Sequence, residues 1–256
     1  MFPVLFKAGP VTLYTYGLFI AIGFFAALTL SKKIASSNQV KTEIVTDLFF
    51  IILIAALIGS RGLYVIIEYE AFKNSWIDVF KIWNGGLVFY GGFIAAVASA
   101  LFYLRLKQIN PLLMGDIVFP GIALGHAIGR IGCFFAGCCY GKPTSAFFAV
   151  CFTHPLTLAP QHVHLHPTQL YSVASNLFIF AVLIGVSIHK RFNGMVTITY
   201  LILYAVLRST IEYFRGDYRG TLLNGYLSTS QGISLLVALA GIILMIILFK
   251  RRHDTN

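Results

Sequence analysis

The sequence predicts an all-α, polytopic integral membrane protein: seven transmembrane helices and a small extracytoplasmic head, with the N-terminus outside and the C-terminus inside. Three observations carry this. Of 256 residues, 58% are hydrophobic and only 11% charged, against roughly 25% charged in an average soluble globule. The apolar residues fall in blocks long enough for a hydrocarbon core that takes about 20 residues per helix. The basic residues alternate between the connections in a way that orients those blocks. A water-soluble globule is excluded. The net charge of +10 is distributed as a membrane protein distributes it, so no nucleic-acid partner is expected.

In chain order, the spans are placed at 11–31, 44–66, 86–104, 112–136, 168–188, 195–214 and 227–249. The first ends on Lys32-Lys33 and has no small-x-small cleavage site after it, so it reads as a retained span, not a signal peptide. Between the second and third, residues 67–82 mix aromatic and charged residues at near-helical spacing. They suit a helix lying in the outer interface, with Tyr69 and Trp76 at headgroup level. Residues 140–167 are too polar and too interrupted by Pro to span, and form the head. No repeat, linker or low-complexity run divides the chain, so 1–256 is read as one transmembrane domain.

Taking the spans in order, one set of connections and ends holds Lys32, Lys33, Lys41, Arg105, Lys107, Lys190, Arg191, Lys250, Arg251 and Arg252, ten of the nineteen basic residues. The other set holds Lys7, Lys73, Lys81, Lys142, Arg215 and Arg219, diluted by Glu68, Glu70, Asp78 and Asp217. The first set is therefore cytoplasmic, and Lys250-Arg251-Arg252 meets the anionic headgroups of that leaflet.

Arg61, Arg130 and Arg208 remain at membrane depth or close to it. Burying an Arg costs about 2.5–3.5 kcal/mol on insertion scales, so such residues usually face a watery cavity and act there. The plainer alternatives are snorkelling at a span end, or an ion pair that holds the bundle. Arg130 lies in Gly125-His126-Ala127-Ile128-Gly129-Arg130-Ile131-Gly132-Cys133, a stretch whose small residues let helix backbones approach closely. Arg208, Glu212 and Arg215 share one helix face, a stripe suited to an anion site with its own counter-ion.

These residues and others resemble the bacterial prolipoprotein diacylglyceryl transferase family. The resemblance runs through Tyr16-Gly17-Leu18, through Gly59-Ser60-Arg61 with Tyr64, and through the stretch from Trp83-Asn84-Gly85-Gly86 to Tyr90-Gly91-Gly92. It continues in Gly129-Arg130-Ile131-Gly132-Cys133-Phe134 with Gly137 and Gly141, in His166-Pro167-Thr168-Gln169-Leu170-Tyr171, and in Arg208, Glu212 and Arg215. Each pattern alone is weak. Together, in order, they cover nearly the whole chain.

The resemblance implies an enzyme of the bacterial inner membrane with its active site facing the outer leaflet. Its partners would be membrane lipids, with phosphatidylglycerol as donor, and the signal-peptide region of a preprolipoprotein as acceptor. It would transfer the diacylglyceryl group to the lipobox cysteine thiol, releasing glycerol phosphate; no cofactor is implied. The chemistry suits the residues. Displacing a phosphate at carbon requires a stabilised leaving anion and a thiolate nucleophile, whose unperturbed pKa is about 8.5. Guanidinium forks match phosphate oxygens and keep their proton. The expected catalytic residues are Arg130, Arg208, Tyr90 and Cys138. The expected substrate-binding residues are Tyr16, Arg61, Cys133, Gly141, His166, Gln169, Glu212 and Arg215.

Four positions depart from the family pattern. Tyr90 stands where His is frequent, Cys133 where Asn stands, Cys138 where Glu stands, and Ser172 where Glu is common. Because of Cys133 and Cys138, a different acceptor on the same fold is one alternative; a seven-span anion or metal transporter is another. All four cysteines lie between 133 and 151, followed by His154, His162, His164 and His166. Without a C-x-x-C pair, and with Cys138 and Cys139 adjacent, no metal is expected. A Cys139–Cys151 disulfide is an alternative to free, buried thiols.

Overall fold

The structure is a computed structural model that describes residues 2–8, 11–73, 75–81, 83, 85–217, 221–222 and 227–253. Asn84 and Arg219 lie outside the described residues. Among the described residues there are seven long helices: α1 (Thr15–Ser37), α2 (Thr42–Ile67), α4 (Phe89–Leu106), α5 (Pro111–Ala136), α6 (Thr168–Ile188), α7 (Met195–Phe214) and α8 (Thr229–His253). The short α3 (Tyr69–Phe72) follows α2. Six of the long helices are long and apolar enough to cross a membrane, and α8 contributes a shorter apolar stretch over Ser230–Ile246. The protein is thus an all-helical polytopic membrane protein. Among the described residues the strands come in two-stranded pairs: β1 (Val4–Ala8) with β2 (Val11–Tyr14), β3 (Val150–Cys151) with β4 (His164–Leu165), and β5 (Thr221–Leu222) with β6 (Leu227–Ser228).

Two expected boundaries move. Residues 11–14 are strand, because Val11-Thr12-Leu13-Tyr14 pairs antiparallel with Val4–Ala8, and the first helix starts at Thr15. The 67–82 segment is not one helix. It is α3 followed by a 3-10 turn over Trp76–Phe80, and carbonyls of this turn and of residues just beyond it are taken by the Arg61 side chain.

The chain divides into two compact units, residues 32–114 and residues 1–31 with 115–256. Within 32–114, α2 and α4 pack together, and the Tyr103 hydroxyl donates to Asp47 at 2.8 Å. Arg61 of α2 is buried, and its guanidinium is spent on backbone oxygens. Nε donates to Val79 O (2.8 Å), Nη1 to Gly85 O (2.7 Å) and Gly86 O (3.2 Å), and Nη2 to Asp78 O (2.6 Å). The rings of Tyr64 and Phe72 lie 5.4 and 5.3 Å from its carbon Cζ, in cation–π range. Arg61 thus satisfies carbonyls that an irregular segment would leave bare.

Within the larger unit, α1 and α5 cross at Gly23 and Gly125, where a Cβ on either glycine would come within 2.6 Å of the other's carbonyl oxygen. Buried Ala123, Ile179, Leu183, Val196 and Tyr200 join α5, α6 and α7 in one core. Asp116, 2% exposed, pins α5 to the start of α7. It accepts from Gly194 N (2.7 Å), Thr197 N (2.9 Å) and Thr197 Oγ1 (3.0 Å), and pairs with Lys190 at 3.1 Å. The carboxylate therefore caps the orphan amides of a helix N-terminus. The 140–167 segment has its own small core of Phe152, Ala159 and Leu165, against which Phe134 and Tyr140 pack.

Candidate active site

Helix α5 ends in a Schellman turn. Gly137 N donates to Phe134 O (3.2 Å) and Cys138 N to Cys133 O (3.2 Å), with Gly137 at φ +71°. The next residue but one, Cys139, is also left-handed at φ +61°. This pair of reversals folds Cys138 and Cys139 back onto the last turn of the helix. The sulfurs of Cys133, Cys138 and Cys139 all lie within 4.8 Å of one another. None of the four cysteines is in a disulfide.

Helix α6 fixes that turn from the other side. Thr168 Oγ1 donates to Cys139 O at 2.7 Å and Gln169 Nε2 to Cys138 O at 2.8 Å, and both side chains are fully buried. Beyond the turn, Tyr140–Lys142 runs as a strap between two partners. Gly141 N donates to His166 O (3.0 Å), His166 N to Lys142 O (3.0 Å), Lys142 N to Phe214 O (2.8 Å) and Gly216 N to Tyr140 O (3.1 Å). Gly141 is needed there, since a Cβ would fall 2.5 Å from His166 O. The strap carries the end of α7, and with it Arg215, to the cysteine turn, where Arg215 and the Cys139 thiol are hydrogen bonded.

Arg215 and Arg130 neighbour this turn, and Arg208 neighbours Arg215 through their shared partner Glu212. Arg208 pairs with Glu212 and donates Nη2 to Ser230 Oγ at 3.1 Å. Arg215 is forked onto Asp217, Nε to Oδ1 at 2.9 Å and Nη2 to Oδ2 at 2.6 Å, and its Nε lies 3.7 Å from Glu212 Oε2. Arg130 pairs with no carboxylate among the described residues. Its Nε donates to His126 Nε2 at 3.1 Å, and its electrostatic neighbours are Cys139, Cys133, Tyr204 and Arg215. His126 therefore accepts through Nε2. Tyr16, at the start of α1, has Cys133, Cys138, Cys139 and Arg130 as its charged or titrating neighbours.

The thiols are not equivalent. Cys139 is held well below the ordinary thiol range by hydrogen bonds from Cys133 and then Cys138, with the Arg215 guanidinium adding to them. Cys138 is pushed up by its hydrogen-bonding thiol neighbours Cys133 and then Cys139, and burial adds to the shift; its S–H points to Cys133 O at 3.7 Å. Of the trio, Cys139 is the thiol whose surroundings most favour the thiolate, whereas the sequence pointed to Cys138. Cys138 and Cys139 are adjacent in the chain, and the left-handed backbone at Cys139 accompanies the gathering of both sulfurs beside Cys133.

Of the residues expected to bind or react, Tyr16, Arg130, Cys133, Cys138, Gly141, His166, Gln169, Arg208, Glu212 and Arg215 all belong to this unit. His166 and Gln169 act on the scaffold. The His166 ring bonds the Tyr171 hydroxyl at 2.9 Å and packs on Phe214, and Gln169 holds the Cys138 carbonyl. Arg61 and Tyr90 belong to the other unit. Tyr90, 45% exposed, sits in the first turn of α4 beside Phe89. Sequence reasoning missed Cys139, Thr168 and Asp116. The only available signal was the Gly-Cys-Cys-Tyr-Gly run, whose two glycines mark a turn.

Arg130, Arg208 and Arg215, with two carboxylates among them and a thiol cluster beside them at the ends of apolar helices, make this a polytopic membrane protein with a surplus of positive charge suited to an anionic group. A family profile for prolipoprotein diacylglyceryl transferases matches residues 3–247. The chain belongs to that family. It is 37% identical over 242 residues to a phosphatidylglycerol–prolipoprotein diacylglyceryl transferase of Clostridium tetani, covering 94% of this chain and 96% of the relative. One of Finegoldia magna is 34% identical over 244 residues, covering 95% and 94%. A protein of Clostridium perfringens named phosphatidylglycerol–prolipoprotein diacylglyceryl transferase 2 is 33% identical over 246 residues, covering 95% and 94%.

Proposed function

We propose that this chain transfers the diacylglyceryl group of phosphatidylglycerol to the lipobox cysteine thiol of a prolipoprotein, at a site facing the outer leaflet of the bacterial inner membrane. The observation that carries the reading is Arg130, a guanidinium without a carboxylate partner among the described residues, set beside Arg208 and Arg215, which have theirs. Its unspent donors suit two oxygens of a phosphate diester. In the transfer, the acceptor sulfur attacks the glyceryl carbon, the C–O bond breaks, and its electron pair stays on the phosphate oxygen. Arg130 and Arg208 stabilise the charge that gathers there, the kind of fixed electrostatic help that acts most on the transition state.

Glu212 holds Arg208 in place, and Arg215, spent on Asp217 and Cys139, positions the cysteine turn. Tyr16 serves as a hydroxyl donor to the lipid head. Arg61, with its guanidinium on backbone carbonyls, is a scaffold residue in this reading and not a lipid ligand. The acceptor's signal-peptide region docks over the 140–167 head.

The test replaces the resident enzyme of a conditional bacterial knockout with this chain and reads the mass of a lipobox peptide. A diacylglyceryl increment is expected, and Arg130→Ala abolishes it with the protein still inserted. An unmodified peptide from correctly inserted native protein sinks the proposal, and native-level activity in Arg130→Ala removes the clamp from it.

A further inference from the structure

We propose that Cys133, Cys138 and Cys139 form a zinc site with an open fourth position, and that the acceptor thiol occupies this position when it reacts. This rests on the transfer reaction proposed above. The three sulfurs lie within 4.8 Å of one another, and no other His, Cys, Asp or Glu joins the group among the described residues. Zinc binds thiolates at about 2.3 Å, so three of them on a tetrahedral ion stand about 3.8 Å apart, a small contraction of this cluster. Three protein ligands and one vacant position are the coordination of zinc sites that do chemistry, whereas structural sites close all four.

The surroundings suit such an ion. The cysteine turn is fixed before any ion arrives: its start by the Schellman bonds, and its carbonyls by Thr168 and Gln169 at 2.7 and 2.8 Å. Arg215 hydrogen bonds to Cys139, and Arg130 has Cys139 and Cys133 as its first two favourable electrostatic neighbours. Three thiolates and one divalent ion leave a single net negative charge, which Arg130 balances. Guanidinium groups around a thiolate-bound ion are the outer-shell partners that orient ligands and tune the metal.

The chemistry gives the site a purpose. The reaction alkylates a sulfur, and a thiol bound to a metal ion is deprotonated outright. The acceptor thiol coordinates zinc and its proton leaves to water. The zinc-bound sulfur then forms the S–C bond as the glyceryl C–O bond breaks, and the phosphate departs with the electron pair. Nothing is oxidised or reduced, which suits an ion without redox chemistry. The thioether product is neutral and a weaker ligand, so it dissociates and reopens the fourth position.

The test uses the full chain purified in detergent micelles, stripped of metal and titrated with Co2+ as a spectroscopic probe. One equivalent is expected, with sulfur-to-cobalt charge-transfer absorption that Zn2+ abolishes by displacement. Adding a lipobox peptide should perturb the band, and its Cys→Ser version should not. Cys133→Ser, Cys138→Ser and Cys139→Ser each reduce the band, and Cys151→Ser leaves it unchanged. Thr168→Val lowers zinc affinity by about 10–100-fold, as outer-shell losses do.

Absence of stoichiometric Co2+ or Zn2+ from well-folded native protein overturns the site, as does an unchanged band in all three serine variants. Binding of Cu+ alone overturns the assignment to zinc. The native titration decides the matter even if a serine variant fails to fold. The two readings fail separately. Full transfer by metal-free protein overturns the zinc proposal and leaves the transferase intact. Zinc and peptide binding without thioether product keeps the site and removes the transferase.

Discussion

Replacing Glu212 by Gln removes one charge from a chain of four. Its carboxylate pairs with Arg208 and lies 3.7 Å from Arg215, and the three side chains are 8%, 12% and 3% exposed. Burial this deep leaves little solvent screening, so the surface value of about 0–1 kcal/mol for an ion pair does not apply. Breaking a buried pair by removing one partner costs about 3–5 kcal/mol, because the other charge stays behind uncompensated. Arg208 is left with only Ser230, and Arg215 keeps Asp217. Glu212→Gln is therefore expected to lose about 3–5 kcal/mol of stability. Removing both charges of the pair, as Arg208→Met with Glu212→Met, should recover most of this, since buried pairs exchanged for apolar side chains are often neutral or better. The assay is unfolding in mixed micelles on addition of a denaturing detergent, followed by near-ultraviolet circular dichroism. A Glu212→Gln midpoint equal to the native one would refute the reasoning. So would a double variant as unstable as the two single variants added together.

Two further substitutions probe the scaffold. Asp116→Ala strands two amides and a hydroxyl at the start of α7 and unpairs Lys190. With hydrogen bonds to charged groups worth about 1.5–3 kcal/mol each, it should be among the most destabilising single changes, measured by the same unfolding. Arg61→Lys keeps the charge but has three donors on one nitrogen, which cannot reach the separated carbonyls of Asp78, Val79 and Gly85. Limited proteolysis should then cut within 76–86 much faster than in the native protein, and equal cutting rates would dismiss the carbonyl role of Arg61.

What the sequence made legible is what depends on neighbours along the chain. Each long helix follows from an uninterrupted apolar block, and the Arg208–Glu212 pair follows from helical spacing, whereas Arg215, expected on the same helix face, lies just past the end of α7 in extended backbone bridged to Gly141. What stayed hidden depends on distant partners. Asp116 gives no local signal, because its partners lie 78 and 81 residues away. Arg61 finds its carbonyls 17 to 25 residues on, so its charge suggested a ligand where the fold uses a brace. The thiol cluster needs a helix cap, a left-handed residue and the strap from Tyr140 to Lys142, and none of these is a periodic signal. Hydrophobic patterning also extended the first span over 11–14, where β-branched alternation favours the hairpin.

The left-handed backbone at Cys139 sets stability against chemistry at a single position. An L-residue other than Gly or Asn pays about 1–2 kcal/mol to sit there, and Cys139 sits there at φ +61°. Selection for thermal stability alone would press this position toward glycine and erase the sulfur that Arg215 and two neighbouring thiols surround. A thermostabilised variant of this enzyme should therefore be judged at position 139 first, where a gain in melting temperature and a loss of the site can arrive in the same substitution.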